Sequence, residues 1–462
     1  MQSDIKLIPA KRFFVDMLTR DIELIDAVLD LLDNCLDGAM RSTRNIQTSD
    51  RPYEGFSAEI IFNPNQFIIS DNCGGIPKDI AINSAFRMGR ADLNRDADIP
   101  TVGVYGIGMK RSIFKLGEHS EIISQSADDA FQVTITKEWM NDDDAWTIPL
   151  TDIPKETNKG TKICVTSLRP GVSRAFSDNS NLEKDLKDII SSHYAYIIKK
   201  GFKVSINGVI VKNEIDILNY EDGFYNNEKE SISPFLYRNE IDGVSIKLAI
   251  GFYRGLSTDE EEDQAKEGKL ESKKAGWTII CNDRVVLHND KTRLTGWGEA
   301  GVPHYHTQFI GIAGVVIFQS NTPSKLPIKT TKRGVDANSE IYSIVKEFMR
   351  EGLKTFTDFT NKWKSKNFEK HYSQASQTIS KPSIEVIDTV PEDKFTAVRK
   401  DGGGLVYRPN LPAPSREVLI KRIQFTKKVS EIKSVSEYFF DDQDRTASEV
   451  GERCFDEILK RL

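Results

Sequence analysis

The sequence has no long apolar run and only five cysteines, which are scattered along the chain. Its longest apolar stretch, residues 309–318, is too short to span a bilayer. The first residues, MQSD, carry no signal-peptide pattern. No CxxC spacing occurs, so we expect reduced thiols rather than a disulfide framework. These absences predict a cytoplasmic protein without a membrane partner.

The chain also lacks a strong charge of either sign. Its formal net charge is −6, with 39% hydrophobic and 29% charged residues, a composition typical of folded globular proteins. A slightly acidic chain has no general attraction to nucleic acid, so such binding would require local basic patches. Because 462 residues exceed what one hydrophobic core usually organises, we expect two or three domains.

One stretch has carboxylates but no basic residue at all. The pattern over residues 22–40 predicts an amphipathic helix, and no Lys or Arg lies between Asp21 and Met40. Solvated helix faces usually mix the two signs. The polar side of this helix instead carries Asp26, Asp30, Asp33, Asn34 and Asp37. Such a face suits the binding of a cation or the orientation of a water molecule; an acidic surface stripe is the alternative.

A phosphate-binding P-loop, GxxxxGK[ST], is absent, but another glycine-rich segment can take its place. Gly103, Gly106 and Gly108 precede or open a predicted helix that contains Met109 and Lys110. Glycine lets backbone N–H groups approach phosphate oxygens, and a helix N-terminus turns its positive end toward them. Lys110 would add a charge for the terminal phosphate. Taken alone, this spacing is also typical of a tight turn.

Asp71 ends a predicted strand that leads into Gly74 and Gly75. A carboxylate there can accept a hydrogen bond from the amino group of adenine, whereas guanine would present a carbonyl group. Thr161, which follows Gly160 at the start of another predicted strand, could share a water molecule with Asp71 at the base. The alternatives are a turn-initiating aspartate and an ordinary strand threonine.

Together, the acidic helix, the Asp71 turn, the glycine-rich loop and the Gly160-Thr161 pair resemble the ATP-binding fold of the GHKL superfamily. This superfamily includes DNA gyrase, heat-shock-protein-90 chaperones, histidine kinases, MutL and the MORC ATPases. Four motifs in this order are far more specific than any one of them. The resemblance implies ATP and Mg²⁺ as cofactors, and an α/β (α+β) two-layer sandwich with helices on one side of a mostly antiparallel sheet.

The resemblance also implies roles for individual residues. Asn34 would coordinate Mg²⁺ held by the triphosphate, because Mg²⁺ takes one or two protein oxygens besides phosphates and waters. Asp30, one turn earlier, occupies the position of the family's catalytic Glu, which aligns a water molecule for attack on the γ-phosphate. Asp30 is one methylene shorter, so we expect slow turnover. Gly75 matches the last glycine of the family's D-x-G-x-G pattern, whereas Cys73 replaces the first.

In the resembling family, a transducer domain sends one lysine back to the γ-phosphate. Lys329 and Lys332 both lie on the basic loop over residues 325–333. Lys332 is our first choice for this lysine and Lys329 our second, although a solvated basic loop would have the same composition.

The predicted organisation has four parts. They are the ATP-binding domain (1–170), a transducer domain of ribosomal-protein-type β-α-β fold (171–355), a linker (356–415) and a helical C-terminal segment of unknown role (416–462). The linker is predicted from a run rich in Ser, Thr and Pro. Residues 89–102 are predicted to form a mobile loop, and residues 277–287 a single strand paired with residues 244–252.

We therefore expect a slow ATPase with a layout like that of MORC or MutL. ATP would order the glycine-rich loop and the N-terminal arm, two protomers would join head to head, and hydrolysis would release this clamp-like homodimer. Basic clusters near Lys364 and Lys421 make DNA a candidate client, and protein partners are the other candidate.

Two alternatives belong to other functional classes. A histidine protein kinase needs a phospho-accepting helical domain before its ATP fold, and no His precedes Asp30. A scaffold or chaperone-like module would keep its nucleotide without turnover in a multiprotein complex, for example one for genome defence, and the Asp at position 30 keeps this alternative open.

Overall fold

The computed structural model describes the chain with several gaps. The residues outside the description are 1–9, 44–49, 88, 90–100, 102–105, 157, 178–180, 227–229, 259–260, 262–263, 265–273, 330–331, 365–377, 400–401 and 415–422. The predicted mobile loop at 89–102 falls almost entirely among them, as does Gly103. In the part that is described, no helix combines the length and the apolar character needed to cross a membrane.

A first unit contains one mixed sheet and the helices that pack on it. Its helices are α1 Lys11–Arg20, α2 Leu24–Ser42, α3 Lys78–Ile80, α4 Gly108–Leu116, α5 Lys137–Asn141, α6 Pro170–Ala175, α7 Leu182–His193 and α8 Ala195–Lys199, with a π-helical turn at Ala81–Ala85. Its strands are β1 Ser57–Asn63, β2 Gln66–Asp71, β3 Gly117–Gln125, β4 Ala130–Ile135, β5 Leu150–Asp152, β6 Gly160–Leu168, β7 Lys203–Ile206 and β8 Val209–Ile210.

The eight strands lie in the order β5-β4-β3-β6-β2-β1-β7-β8. The β1–β7 pair is parallel and the other pairs are antiparallel. Alternate residues of β1 and β2 are buried, because the pleat turns every second side chain toward the helices. Helix α2 lies against these strands with Val28, Leu32 and Leu36 in the core, so its apolar stripe positions the acidic face. The predicted α/β sandwich class is confirmed.

The first sheet continues beyond the domain boundary predicted at residue 170. Strands β7 and β8 add to its β1 edge, and Val204 and Ile206 belong to the same hydrophobic core as α2. Asn207 and Gly208 form the hairpin turn between them with φ angles of 47° and 79°, the left-handed pair that an Asn-Gly sequence favours. Packing therefore joins residues up to about 211 to the first unit.

A second unit is built on a larger sheet. Its strands are β9 Ile217–Glu221, β10 Phe235–Ile241, β11 Val244–Phe252, β12 Gly276–Cys281, β13 Arg284–Asp290, β14 Ile312–Gln319, β15 Thr378–Pro382, β16 Thr396–Ala397 and β17 Leu405–Tyr407. Its helices are α9 Glu340–Trp363 and α10 Ser383–Thr389, with short 3₁₀ turns at Phe224–Asn226, Arg293–Thr295, Thr307–Phe309, Pro323–Lys325 and Glu392–Lys394.

The main path of this sheet is β13-β12-β14-β11-β10-β17-β16, with β9 paired to β11 and β15 paired to β9. Helix α9 packs on it with a long apolar stripe that includes Tyr342, Met349 and Phe356. The β14 strand is buried along almost its whole length, as expected for a central strand covered on both faces.

Two sequence predictions for this unit are wrong. Residues 277–287 form a hairpin rather than one strand, because Asn282 and Asp283 turn the chain with φ angles of 46° and 66°. Strand β12 pairs with β14 and β13 instead of β11. Strand β12 is buried at every position, so its sequence has no alternating pattern that would mark its end. The turn signal of the Asn-Asp pair was therefore overlooked.

Part of the predicted linker over residues 356–415 is folded onto the second sheet. Strands β15 and β17 pair with β9 and β10, and Val386, Ile387 and Val390 are buried. Ser, Thr and Pro were a misleading signal here, because an edge strand and a short helix tolerate them. Helices α11 Val429–Phe440 and α12 Ala447–Leu459 follow as a helical pair.

Candidate active site

A pocket opens between α2, the β2 and β6 strands, and the start of α4. It is lined by Leu31, Asn34, Cys35, Ile69, Asp71, Ile76, Met109, Thr161 and Ile163. The sequence prediction drew four of these residues from separate motifs, namely Asn34, Asp71, Met109 and Thr161. The fold thus brings the four motifs to one cavity, whose remaining walls are aliphatic or sulfur-containing.

Asp71 lies at the carboxyl end of β2 and faces this cavity. Its Oδ1 accepts a hydrogen bond from the backbone N–H of Cys73 at 2.7 Å. Burial raises the pKa of the Asp71 carboxyl, although hydrogen bonds from Cys73, the Cys35 thiol and the Thr161 backbone oppose this effect. A carboxylate fixed by backbone donors at the end of an apolar pocket is well suited to accept from the amino group of a planar base.

Thr161 belongs to a small hydroxyl network that the sequence analysis missed. Its Oγ1 lies 3.0 Å from Ser124 Oγ, and Ser124 Oγ accepts a hydrogen bond from Ile76 N at 2.7 Å. Ser124 is on β3, the strand beside β6. The network fixes the turn after Asp71 to the sheet, and only the pairing of β3 with β6 could have revealed Ser124.

The turn after Asp71 requires both of its glycines. Gly74 and Gly75 have φ angles of 100° and 70°, and a Cβ at Gly75 would lie 2.0 Å from the Gln125 backbone oxygen. Cys73, which replaces the family's first glycine, is absent from the residues with positive φ. Gly38 of α2 makes room for it, since a Cβ there would meet Cys73 Cβ at 3.0 Å. The substitution at Cys73 is therefore compatible with the turn.

The glycine-rich loop reaches the pocket at the start of α4. Gly106 has a φ of 69°, and Met109 lines the cavity. A Cβ at Gly108 would lie 3.4 Å from the Asp30 carboxyl carbon, an ordinary van der Waals distance, so the start of α4 packs directly beside Asp30. Gly103 lies outside the described residues. The α4 N-terminus, with its positive end, therefore lies beside the acidic face of α2.

Lys110 has a different position from the one predicted. Its ammonium donates to the backbone oxygens of Ala85 and Gly106 at 2.8 and 2.5 Å. The side chain is buried, and burial lowers its pKa to about 8. In this structure Lys110 ties the loop before α4 to the turn after α3, and it does not line the cavity.

Asp30 lies where α2 approaches the start of α4, between two cations. Arg111 NH2 donates to Asp30 Oδ2 at 2.5 Å, and Lys332 Nζ is 3.7 Å from Oδ1. The Asp30 side chain is only 5% exposed. Sequence analysis missed Arg111, although it directly follows Lys110, because a basic residue in a first helical turn carries no signal of its own.

Lys332 is the lysine of the second unit that reaches α2. Its Nζ is 3.1 Å from Asp33 Oδ2, and the neighbouring carboxylates Asp33 and Asp30 raise its pKa despite burial. The Lys332 backbone has a φ of 55°, a left-handed conformation that costs about 1 kcal/mol or more for a bulky residue. Lys329 is exposed, so the structure brings only the first of our two choices to Asp30.

A fully buried ion pair joins the two units behind this site. Arg284 Nε donates to Asp33 Oδ1 at 3.0 Å, and both side chains are 1% exposed. Tyr194 donates to the same oxygen at 2.7 Å and stacks under the guanidinium. Burial raises the pKa of Asp33, but Lys332 and Arg284 outweigh it and lower the pKa overall. Asp33 is therefore an anchor between the units.

Two further contacts surround this anchor. Arg333 donates to Asp26 Oδ1 at 2.7 Å, and Asp283 accepts from Tyr53 and Lys200. The acidic stripe of α2 is therefore matched by cations of the second unit. This accounts for the absence of Lys and Arg between Asp21 and Met40, since the complementary charges are supplied by residues far along the chain.

Asn34 has the chemistry of a magnesium ligand. Its side chain is exposed at the pocket wall and makes no hydrogen bond to the part of the chain that the structure describes. An uncommitted amide oxygen beside a nucleotide fits Mg²⁺, which takes most of its ligands from phosphates and water. Within the described ranges no group of three or more His, Cys, Asp or Glu could hold a metal on its own, and the magnesium role stays a prediction.

The sheet, the acidic helix and the glycine turns around one pocket define an ATP-binding domain of the GHKL class. Residues 22–164 match the family model described as histidine kinase-, DNA gyrase B-, and HSP90-like ATPase, and this part of the chain is therefore similar to that family. The match begins before α2 and ends within β6, so it contains the whole pocket. No curated protein is similar enough to the chain to be matched.

Proposed function

We propose that the protein is an ATPase that binds Mg·ATP in the α2–α4 pocket and hydrolyses it slowly. The observation that carries this proposal is the convergence of Asn34, Asp71, Met109 and Thr161 on one cavity within the family-matched segment. Asp71 would select adenine, the aliphatic walls would cover the base, and the start of α4 would receive the phosphates.

Asp30 is the proposed general base. A water molecule would attack the γ-phosphorus, the bond to the β-phosphate oxygen would break, and Asp30 would accept the proton from the water. Mg²⁺ held through Asn34 would neutralise charge on the phosphates. Lys332 would contact the γ-phosphate, so that loss of this phosphate on hydrolysis is sensed by the second unit, the proposed transducer. The contact of Lys332 with Asp30 supports this assignment.

Slow turnover is supported by the surroundings of Asp30. Its carboxylate is shorter than the family's Glu and already engages Arg111 and Lys332. A carboxylate whose oxygens both face cations is not available to a water molecule until these partners move. The same observation favours a second candidate function, in which the nucleotide is structural and the protein acts as a scaffold or chaperone-like module.

We further propose that ATP promotes a homodimer through the N-terminal region, as part of a clamp-like cycle. Helix α1 supports this because it exposes Phe13 and Met17, 65% and 51% accessible, on successive turns of one face. The client would be DNA or another protein. A cytoplasmic location is supported by the five cysteines, all of which are free thiols.

Three measurements test the proposal. Calorimetry with Mg·ATP, Mg·ADP and Mg·GTP should give binding of both adenine nucleotides and much weaker binding of GTP, and phosphate release should be slow but measurable. Light scattering after size exclusion should give a dimer with a non-hydrolysable ATP analogue and a monomer with ADP. Failure to bind ATP would contradict the whole proposal, whereas binding without phosphate release would favour the scaffold.

The candidate clients can be separated with the same material. Binding to duplex DNA that weakens steeply with salt would support DNA, because it reports contacts between basic side chains and phosphates. No binding at low salt, with or without ATP analogue, would remove DNA and leave protein partners.

A further inference from the structure

Among the residues that the structure describes, Arg111 is the cation closest to the proposed base, and it comes from the same unit as the pocket. Its side chain is 14% exposed, and its NH2 group is 2.5 Å from Asp30 Oδ2. Because it lies in the first turn of α4, its guanidinium is beside the helix end that would receive the phosphates. The residue therefore contacts the proposed base and belongs to the helix turn that would receive the phosphates.

The guanidinium has donors that Asp30 does not use. Arginine offers five N–H groups in a planar fork. In the part of the chain that is described, the Nε–H of Arg111 is buried without a partner. A buried donor without an acceptor is unfavourable, so at a binding site such an atom is available to a ligand that accepts from it. An oxygen-rich anion is the ligand that matches this donor set.

Lys332 and Arg111 differ in whether each has an anionic partner besides Asp30. Lys332 is 3.1 Å from Asp33 Oδ2 and keeps that partner if Asp30 turns away. Arg111 has Asp30 as its one anionic partner among the described residues. A phosphate group arriving at α4 would compete for Arg111 more effectively than for Lys332, since it offers two oxygens to the guanidinium fork.

We propose that Arg111 is a catalytic arginine that exchanges Asp30 for the terminal phosphate of bound ATP, so that the substrate itself frees the base. This inference rests on the proposed ATPase function. In the nucleotide-free protein, the Arg111–Asp30 pair neutralises the carboxylate. With ATP bound, Arg111 neutralises charge on the γ-phosphate, and Asp30 is free to accept the proton of the attacking water. The products ADP and phosphate leave, and the pair re-forms.

The test compares Arg111→Met with the matched control Arg333→Met. Both remove an arginine that bonds an α2 carboxylate, but Arg333 pairs with Asp26 and not with Asp30. We measure the affinities for a non-hydrolysable ATP analogue and for ADP, and single-turnover phosphate release at saturating ATP. For Arg111→Met we expect the ATP-to-ADP affinity ratio to fall about 10-fold or more, and phosphate release about 100-fold or more, because arginines at the transferring phosphoryl group have effects of this order. Arg333→Met should leave the ratio unchanged.

The outcomes separate this inference from the underlying function. Absence of ATP binding in the wild-type protein would contradict the ATPase proposal itself. A second outcome is that the wild type hydrolyses ATP while Arg111→Met keeps the same affinity ratio and hydrolyses ATP faster. In that case Arg111 is only an inhibitory partner of Asp30, and the proposed exchange of Asp30 for the terminal phosphate is refuted. ADP binding verifies that the variant is folded. Should it be lost, Arg111→Lys keeps the charge but not the fork, and unchanged phosphate release in that variant would also refute the proposal.

Discussion

The proposed base-binding end of the site (the base end) and the proposed phosphate-binding end (the phosphate end) are built on different principles. At the base end, Asp71, Thr161 and Ser124 come from neighbouring strands of one sheet, and their partners are backbone groups and hydroxyls. At the phosphate end, Asp30 and Asp33 are matched by Arg111 of the first unit and by Arg284 and Lys332 of the second. The base end is formed within a single sheet. At the phosphate end, carboxylates of the first unit are paired with cations of both units.

This difference indicates a division of work. Recognition of the base needs a fixed acceptor, and a sheet provides it at low cost in conformational entropy. A response to the γ-phosphate needs groups with more than one partner, because only then can a ligand redistribute them. The four predictions below test whether the phosphate end responds through charges while the base end acts only in binding.

The largest expected effect is on turnover. Replacing Asp30 by Asn should lower phosphate release about 10²–10⁴-fold, because the amide cannot accept the proton, while ATP affinity changes only a few-fold. Asp26→Asn, the same change one turn earlier on α2, is the control and should retain turnover. Both variants are measured by phosphate release and calorimetry. Equal turnover in Asp30→Asn and wild type would show that the base lies elsewhere.

The next largest effect concerns the anchor between the units. Arg284→Met leaves Asp33 buried with one cation fewer, and removing one partner of a buried pair costs about 3–5 kcal/mol. Arg333→Met removes a more exposed pair, whose loss should cost about 1 kcal/mol or less. Urea unfolding compares the two. Similar small losses in both would mean that the buried pair does not hold the units together.

The base end could be predicted from sequence because its signals are local. Asp71 is followed closely by Gly74 and Gly75. Thr161 follows Gly160, whose backbone packs against that of Asp71, since a Cβ at Gly160 would lie 1.9 Å from the Asp71 backbone oxygen. The conformation of such turns is determined by residues that are neighbours in the sequence, so the turns can be predicted from short stretches. The hairpin of β1 and β2 and the α2 stripe were predictable for the same reason.

The phosphate end was predicted only in part because its charges pair over long distances. The choice of Lys332 before Lys329 came from a family resemblance, and Arg284 was not considered. Its only signal was an arginine directly before the apolar pair Val285 and Val286, which must find a buried anion if this strand is covered on both faces. The sequence alone does not tell that Asp33, some 250 residues away, is that anion.

The base end has its own prediction. Asp71→Asn should weaken ATP binding about 100-fold, because an amide group offers a donor where the adenine amino group needs an acceptor. The ratio of the affinities for ATP and GTP should fall as well. Asp79→Asn, at an exposed position of α3, is the control. Calorimetry with both nucleotides provides the measurement, and a variant with wild-type affinity and preference would exclude Asp71 from base recognition.

The smallest effect should appear in the dependence of stability on pH. Burial lowers the pKa of Lys110 to about 8, from about 10.5 for a lysine exposed to solvent, so between these values the unfolded chain binds more protons than the folded one. The free energy of unfolding contributed by this group therefore rises with pH across that window, by about 1–3 kcal/mol. Lys110→Met should abolish the rise, whereas Lys115→Met on the same helix should keep it. Urea unfolding from pH 7 to pH 10 measures both, and the same rise in Lys110→Met would mean that another group titrates. Since Lys110 bonds the loop and not the pocket lining, nucleotide affinity should follow this titration only through the position of the loop.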